Sequence, residues 1–285
     1  MEIEKVAIIG TGVIGSQIAQ VVANNGIEVI LKTRGKNDPY RLINRNLVEG
    51  IKKGFVSSED AVRILSGIEW TTSMEEAVTD VELVIEAVPE NMSVKRRVFS
   101  EMSNLVKAET ILASCTSSIS IAKIADSTRS QDTVIGLHFF NPAYAMKLVE
   151  VIPSKYTSDR VLEDAIAFVE RLGKTPIVVK DSPGFVVNRM LMLMINEAAR
   201  LVEEGVASPA EIDEAMKLGA NHPMGPLALA DMIGIDTCFK ILSVLRDDIS
   251  DERYAPCELI REKLLQKNLG RKTGRGFYDY DLQEL

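Results

Sequence analysis

Cysteine is scarce in this chain, and what there is cannot form a framework. Cys115, Cys238 and Cys257 are odd in number and widely spaced. That excludes a disulfide scaffold and a paired-cysteine metal site, and predicts reduced thiols in a cytoplasmic protein. Positive charge is also short. Lys and Arg total 33 against 41 Asp and Glu, a formal net charge of −8, with no sustained basic stripe. A nucleic-acid surface needs the opposite balance, so no nucleic-acid partner is expected. No apolar run approaches membrane-spanning length. The methionine-rich stretch from Met190 to Ile195 is bracketed by Asn188, Arg189, Asn196 and Glu197, so neither a membrane partner nor a span is expected. Acidic residues at Glu2 and Glu4 precede a strand-like run, which is not the pattern of a signal or transit peptide. There are no internal repeats or low-complexity segments. Only two histidines are present, which narrows the search for a general base at neutral pH.

Glycine is present where it counts. The apolar run at 6–9 breaks into Gly10-x-Gly12-x-x-Gly15, with Val13 and Ile14 between the last two glycines, and continues as an amphipathic helix. Gly10 permits a tight turn, Gly12 lets the backbone approach a pyrophosphate, and Gly15 lets helix and strand pack closely. The helix N-terminus then offers free N–H groups to the anion. One position is discordant. An acid normally ends the second strand and binds the adenosine ribose, but here the chain reads Lys32-Thr33-Arg34-Gly35-Lys36. Thr33 and Arg34 at that position favour NADP over NAD, because a guanidinium pairs with a 2′-phosphate through a planar fork. The other reading leaves these charges solvated and gives the ribose to Asp38.

Strand-like segments at 6–9, 28–31, 83–88, 110–114, 134–138, 148–152 and 177–179 alternate with helical patterns at 13–25, across 40–65, at 94–105 and at 159–172. Such alternation predicts an α/β, Rossmann-type, doubly wound and mostly parallel sheet with ligands at the carboxyl ends of its strands. Beyond Asp181-Ser-Pro-Gly184 the pattern is helical: 185–204, a helix opening at Ser208-Pro209-Ala-Glu211 with a capping box, 227–245 and 256–267. The predicted organisation is a dinucleotide-binding domain over 1–183 and an all-α substrate and dimerisation domain over 184–285. Met190, Met192 and Met194 read as helical core or subunit interface in preference to an acyl-chain groove.

His138 ends a strand ahead of Phe-Phe-Asn-Pro142, where a catalytic group would project beside a dinucleotide. His222, between helices, reads as shaping its loop. An imidazole needs a partner to fix its tautomer. Glu150 sits in an apolar strand, where a carboxylate is costly unless paired. Lys147 and Arg189 are possible partners, but His138 explains its placement better. Ser117 is either a hydrogen-bonding group at the same sheet edge or a plain helix cap.

The motifs Gly10-x-Gly12-x-x-Gly15, Glu86-Ala-Val-Pro-Glu90-Asn, Ser114-Cys-Thr-Ser-Ser118, Gly136-Leu-His-Phe-Phe-Asn-Pro142 and Met146-Lys-Leu-Val-Glu150 occur in order. They continue with Lys180-Asp-Ser-Pro-Gly-Phe-Val-Val-Asn-Arg189, Asn221-His-Pro-Met-Gly-Pro226 and Gly270-Arg-Lys-Thr-Gly-Arg-Gly-Phe-Tyr278. Across its whole length the chain resembles the single-function L-3-hydroxyacyl-CoA dehydrogenases of the 3-hydroxybutyryl-CoA dehydrogenase type. The resemblance implies hydride transfer between (S)-3-hydroxyacyl-CoA and a nicotinamide cofactor in an interdomain cleft. It implies His138 as acid/base, Glu150 as its orienting carboxylate, and Ser117 and Asn188 as contacts to the substrate oxygen. It assigns Glu90, Lys95, Ser117, Asn141 and Lys272 to the cofactor and Lys53 to the CoA moiety, with no metal. Cys115, where relatives often carry Asn, and the Thr33-Arg34 pair depart from the family pattern. The apolar helical domain suggests a homodimer. A dehydrogenase of a free hydroxy acid or sugar acid on the same scaffold, and a non-catalytic dinucleotide sensor, are the alternative readings.

Overall fold

The structure, a computed structural model, describes residues 1–35 and 40–281. Lys36 and Asp38 lie outside the described residues. Backbone contacts divide the chain into two compact units, Met1–Ser182 and Pro183–Leu285.

The first unit is built on one eight-stranded sheet, order β3-β2-β1-β4-β5-β6-β7-β8. Its strands are β1 (Lys5–Ile9), β2 (Glu28–Lys32), β3 (Ile68–Thr71), β4 (Leu83–Glu86), β5 (Ile111–Ser114), β6 (Val134–Phe139), β7 (Leu148–Pro153) and β8 (Thr175–Val178). Every neighbouring pair is parallel except β6 with β7. The central strands are apolar and buried along almost their whole length, as strands covered on both faces must be. The covering helices are α1 (Val13–Asn24), α2 (Tyr40–Lys52), α3 (Ser58–Ser66), α4 (Met74–Val78), α5 (Met92–Leu105), α6 (Ile121–Ala125) and α7 (Asp159–Arg171). After β1 the chain winds outward through β2 and β3, then returns to β4 on the other side. The switch between β1 and β4 opens a crevice at the carboxyl ends of these strands.

β3 departs from expectation. It is a four-residue strand at the sheet edge, with Glu69 and Trp70 exposed, and so has no apolar run to announce it. β4 stops at Glu86, short of the expected 88 and ahead of Pro89, which has no N–H to donate. β8 is the other edge strand and tolerates Pro176 for that reason.

The second unit holds α8 (Val187–Glu203), α9 (Pro209–Ala220), α10 (Pro226–Ile233), α11 (Ile235–Ile249) and α12 (Glu258–Leu265). Ser208 and Glu211 form a reciprocal capping box at the start of α9. The single helix expected over 227–245 is two helices, because Gly234 adopts φ +104° between them. Met192, Ile195, Leu227, Ile235, Leu242 and Ile260 are buried in this unit's core.

The strand-to-helix turn depends on two missing side chains. A Cβ on Gly10, at φ +121°, would lie 2.6 Å from the Ala87 carbonyl oxygen, and one on Gly15 would lie 2.1 Å from that of Gly10. Neither backbone can move without parting β1, α1 and β4. Gly15→Ala is therefore expected to cost about 3 kcal/mol or to prevent folding, the upper end of overpacking penalties. Denaturant unfolding reads the loss, and a near-neutral variant would contradict this account of the turn.

Candidate active site

The crevice is a cavity of about 1010 Å³ lined by the turn at 10–14, by Thr33, Arg34 and Gly35 beyond β2, and by Arg41 and Arg97. Gly12 caps α1 with extended backbone and no side-chain hydrogen bond, and a Cβ there would meet nothing within 4 Å. The first amides of α1 thus open onto unobstructed space, a ready anion site. Of the cluster at the ribose position, Thr33 is buried with its hydroxyl 3.4 Å from the Gly35 carbonyl, whereas Arg34 is exposed. Arg41 and Arg97 escaped the sequence reading. They lie in α2 and α5, and only the fold brings them to this wall.

At the other end of the sheet edge three side chains form one line. β6 and β7 are antiparallel with His138 directly opposite Glu150, so both project from the same face. Glu150 Oε2 lies 2.7 Å from His138 Nδ1, and Ser117 Oγ lies 3.1 Å from Nε2. His138 is 4% exposed and Glu150 1%. The Phe140 ring packs on the imidazole with centroids 4.5 Å apart. A carboxylate only accepts, so the Glu150 contact holds the proton on Nδ1 and leaves the Nε2 lone pair to accept from the Ser117 hydroxyl.

Ser117 is not the helix cap. Ser120 caps α6, and Asp181 reinforces it by accepting from the Ser120 hydroxyl at 2.8 Å and the backbone N–H groups of Ile121 and Ala122 at 3.0 and 2.8 Å. The turn bearing Ser117 is held by Glu90. One carboxylate oxygen accepts from the Thr116 hydroxyl (2.7 Å), the Ser117 and Ser118 backbone N–H groups (3.0 and 3.1 Å) and the Ser118 hydroxyl (2.9 Å). Burial by itself would raise the Glu90 carboxyl. The Lys95 ammonium and these hydrogen bonds outweigh it and hold the group below the usual carboxylate value. Lys95 is itself 1% exposed, with its ammonium 2.8 and 3.0 Å from the two oxygens of Glu86 and 3.4 Å from Glu90. Glu86, at the end of β4, also accepts from the Ser114 hydroxyl and the Val88 N–H. Glu86, Thr116 and Ser118 were missed as supports. The signal available was an acid ending the apolar run Leu83-Val-Ile-Glu86, where a lone carboxylate is not tolerated.

The remaining expected residues are more dispersed. Asn141 is exposed on the turn after β6. Lys53 is exposed at the end of α2 and ion-paired with Glu49 at 2.6 Å. Asn188, half-buried near the start of α8, and Lys272, ion-paired with Asp236, belong to the second unit. His222 follows Asn221, which turns the chain out of α9 with φ +56°, and its N–H bonds back to the Met216 carbonyl. Cys115 is pushed well above an ordinary thiol value by burial and by the Glu86 and Glu90 carboxylates, which disfavours the thiolate. Among the described residues no helix is long and apolar enough to cross a membrane, and no group of three or more metal-ligating side chains occurs.

Residues 5–182 match the NAD binding domain of 3-hydroxyacyl-CoA dehydrogenase, and residues 184–280 match the C-terminal domain of the same enzymes. The chain belongs to the 3-hydroxyacyl-CoA dehydrogenase family. It is 47% identical to a 3-hydroxybutyryl-CoA dehydrogenase of Clostridioides difficile over 97% of this chain and 99% of that one. It is 44% identical to a probable 3-hydroxybutyryl-CoA dehydrogenase of Bacillus subtilis over 99% of each. The crystal structure of (S)-3-hydroxybutyryl-CoA dehydrogenase from Ralstonia eutropha superposes with a TM-score of 0.93 at 44% identity, covering 98% of this chain and 100% of that one. The family membership makes the protein an oxidoreductase that works with a nicotinamide cofactor.

The Glu90 clamp has a pH signature. Its carboxyl is lowered in the folded chain, so its stabilisation is complete above the unfolded value near ~4.3 and is lost as pH falls through the folded value. Glu90→Gln is expected to lower stability by about 1–3 kcal/mol at pH 7 and to flatten the acid limb of the stability curve. Unfolding free energies across pH 3 to 7, at about 1-unit steps, read both effects; an unchanged acid limb would show that the clamp does not act through its charge.

Proposed function

We propose that this dehydrogenase interconverts (S)-3-hydroxybutyryl-CoA and acetoacetyl-CoA, with His138 as the acid/base. The observation that carries the reading is the line from Ser117 Oγ through His138 to Glu150, with Nε2 facing away from the buried carboxylate. The names of the relatives, 3-hydroxybutyryl-CoA dehydrogenases over nearly full length, support the substrate. A nicotinamide ring, when bound, supplies the carbon that takes up or returns the hydride.

The chain's own groups handle the proton and the geometry. His138 Nε2 accepts the proton of the C3 hydroxyl as that carbon is oxidised. Glu150, in contact with Nδ1, stabilises the resulting imidazolium, and in reduction Nε2 returns the proton to the carbonyl oxygen. Ser117 donates to the same oxygen, and Asn188 is assigned as its second donor. The open amides of α1 and the turn at 10–15 hold the pyrophosphate. Glu90, Lys95 and Asn141 belong to the nicotinamide end. The ion pairs of the buried Lys95 with buried Glu86 and half-buried Glu90 argue that its part there is to hold Glu90 in place. Lys53 is assigned to the CoA phosphates and Lys272 to the cofactor.

For the 2′ position the reading is NADP. Among the described residues that line the cavity, Lys32, Arg34, Arg41 and Arg97 outnumber the one acid, Glu101, and a 2′-phosphate needs cationic donors. The protein is further read as a cytoplasmic homodimer that associates through its helical unit. Met190, Leu218 and Leu265 are 70, 79 and 80% exposed there, apolar side chains of the kind that interfaces cover. A monomeric mass by light scattering would overturn the dimer.

Acetoacetyl-CoA reduction, followed side by side with NADH and NADPH, tests the assignment. The expected result is turnover on the thioester and a lower KM for NADPH. Activity confined to a free hydroxy acid, or tight cofactor binding without turnover, would replace this reading by a hydroxy-acid dehydrogenase or a dinucleotide sensor. His138→Ala should reduce kcat by about 10²–10⁴-fold, the scale of general acid/base loss; near-normal turnover by a folded variant removes His138 from the mechanism. Arg34→Ala should raise the KM for NADPH about tenfold and leave that for NADH unchanged, the loss of one charge-assisted contact. An unaltered NADPH value would show that Arg34 does not read the phosphate.

A further inference from the structure

Gln17 stands in the second turn of α1, the helix whose N-terminus faces the cavity, and is only 5% exposed. Its side chain does not pack as an inert filler. The amide oxygen accepts from the Ala143 N–H at 2.8 Å, and the amide nitrogen donates to Asn141 Oδ1 at 3.0 Å. One buried amide thus ties the pyrophosphate helix to the turn that leaves β6 three residues after His138.

The direction of these bonds is forced. A backbone N–H can only donate, so the oxygen of Gln17 must face Ala143. Its NH₂ group must then face Asn141, and the only group of Asn141 that can answer is Oδ1. Asn141 is left with its NH₂ turned away from Gln17, and among the described residues that nitrogen makes no hydrogen bond.

We propose that Gln17 is a positioning residue that sets the polarity of Asn141, so that Asn141 offers N–H donors, and no acceptor, to an oxygen in the nicotinamide half of the cofactor. This rests on the reading of Asn141 as a cofactor contact. The chemistry it selects is an acceptor oxygen, a carboxamide carbonyl or a ribose hydroxyl. Met or Leu at position 17 would fill the same volume and strand the buried Ala143 N–H, a structural cost present whether or not Asn141 is there.

Gln17→Glu tests the polarity at nearly constant shape. Both oxygens of Glu accept. One keeps the Ala143 N–H, and the other draws the Asn141 NH₂ toward itself, so Asn141 turns over and presents its oxygen to the cofactor. The expected result is a rise of about tenfold in the reduced-cofactor KM, and in its dissociation constant by cofactor fluorescence, with kcat falling much less. In an Asn141→Ala background the same substitution should change neither constant by more than about twofold, because the group it acts through is gone. Gln17→Met, which keeps volume without adding a buried charge, should raise the cofactor KM by about two- to fivefold in the native background and not in Asn141→Ala. Equal effects of Gln17 substitution in both backgrounds would overturn the inference and reduce Gln17 to a structural tie, as would native cofactor binding by a folded Gln17→Met. An Asn141→Ala variant with native cofactor constants would also overturn it, and would place the fault in the reading of Asn141 rather than in the relay.

Discussion

A carboxylate sunk in a sheet must have a partner, and the reaction centre depends on how that requirement is met at Glu150. Its partner is His138 because β7 runs antiparallel to β6 in a register that sets the two residues opposite each other. β7 and β8 both run opposite to the other six strands, and the single antiparallel pairing, β6 with β7, brings an acid and a base to the same level on the same face. A slip of one residue would turn Glu150 to the other face and leave both groups stranded. The turn between the strands is fastened accordingly. The Lys174 ammonium donates to the Ala143 and Met146 carbonyls, at 2.6 and 2.7 Å, and Thr175 N–H bonds to the Lys147 carbonyl at 2.8 Å. Burial lowers the Lys174 ammonium, which among the described residues meets carbonyls and no counter-charge.

The same requirement at Glu86 builds the support for Ser117. Glu86 is fully buried and meets Lys95, Ser114 and the Val88 N–H. Lys95 reaches on to Glu90, and Glu90 gathers the turn at 116–118. The ends of β4 and β5, the first turn of α5 and the loop after β5 are thereby joined in one network, and its last member is the hydroxyl that meets His138. Removing one partner from such a pair leaves an uncompensated buried charge, which typically costs about 3–5 kcal/mol. The network is therefore rigid in the place where a hydroxyl must be held to a fraction of an ångström.

Much of this was legible where chemistry is scarce. With only two histidines, one of them ending a strand, His138 stood out, and Glu150 stood out because an acid in an apolar strand demands a reason. The glycine turn was legible because its steric rule is local. What was not legible depends on distance along the chain. Arg41 and Arg97 belong to helices whose patterns say nothing of the cavity they line. Glu86 and Asp181 stand in recognisable motifs, but the motifs do not name the distant groups they meet, Lys95 and Ser114 for the one and the start of α6 for the other. β3 lacks an apolar run, and the break between α10 and α11 rests on the conformation of a single glycine, which a continuous apolar period conceals.

Two chains of hydrogen bonds approach the site, and each begins at a group that cannot reverse its polarity. Glu150 only accepts, which holds the proton on Nδ1, makes Nε2 the acceptor and orients the Ser117 hydroxyl toward it. The Ala143 N–H only donates, which turns Gln17 and through it Asn141. Groups of ambiguous polarity (imidazole, hydroxyl, amide) are thus each determined by a neighbour that has no choice. A site built this way needs only a rotation of the Ser117 hydroxyl to present a lone pair on one side, with N–H donors already set on the other, and preorganisation of that kind is where an enzyme gains most over water. The fold's contribution to catalysis is then specific. The antiparallel register supplies the first chain, and the close packing of α1 against the turn after β6 supplies the second.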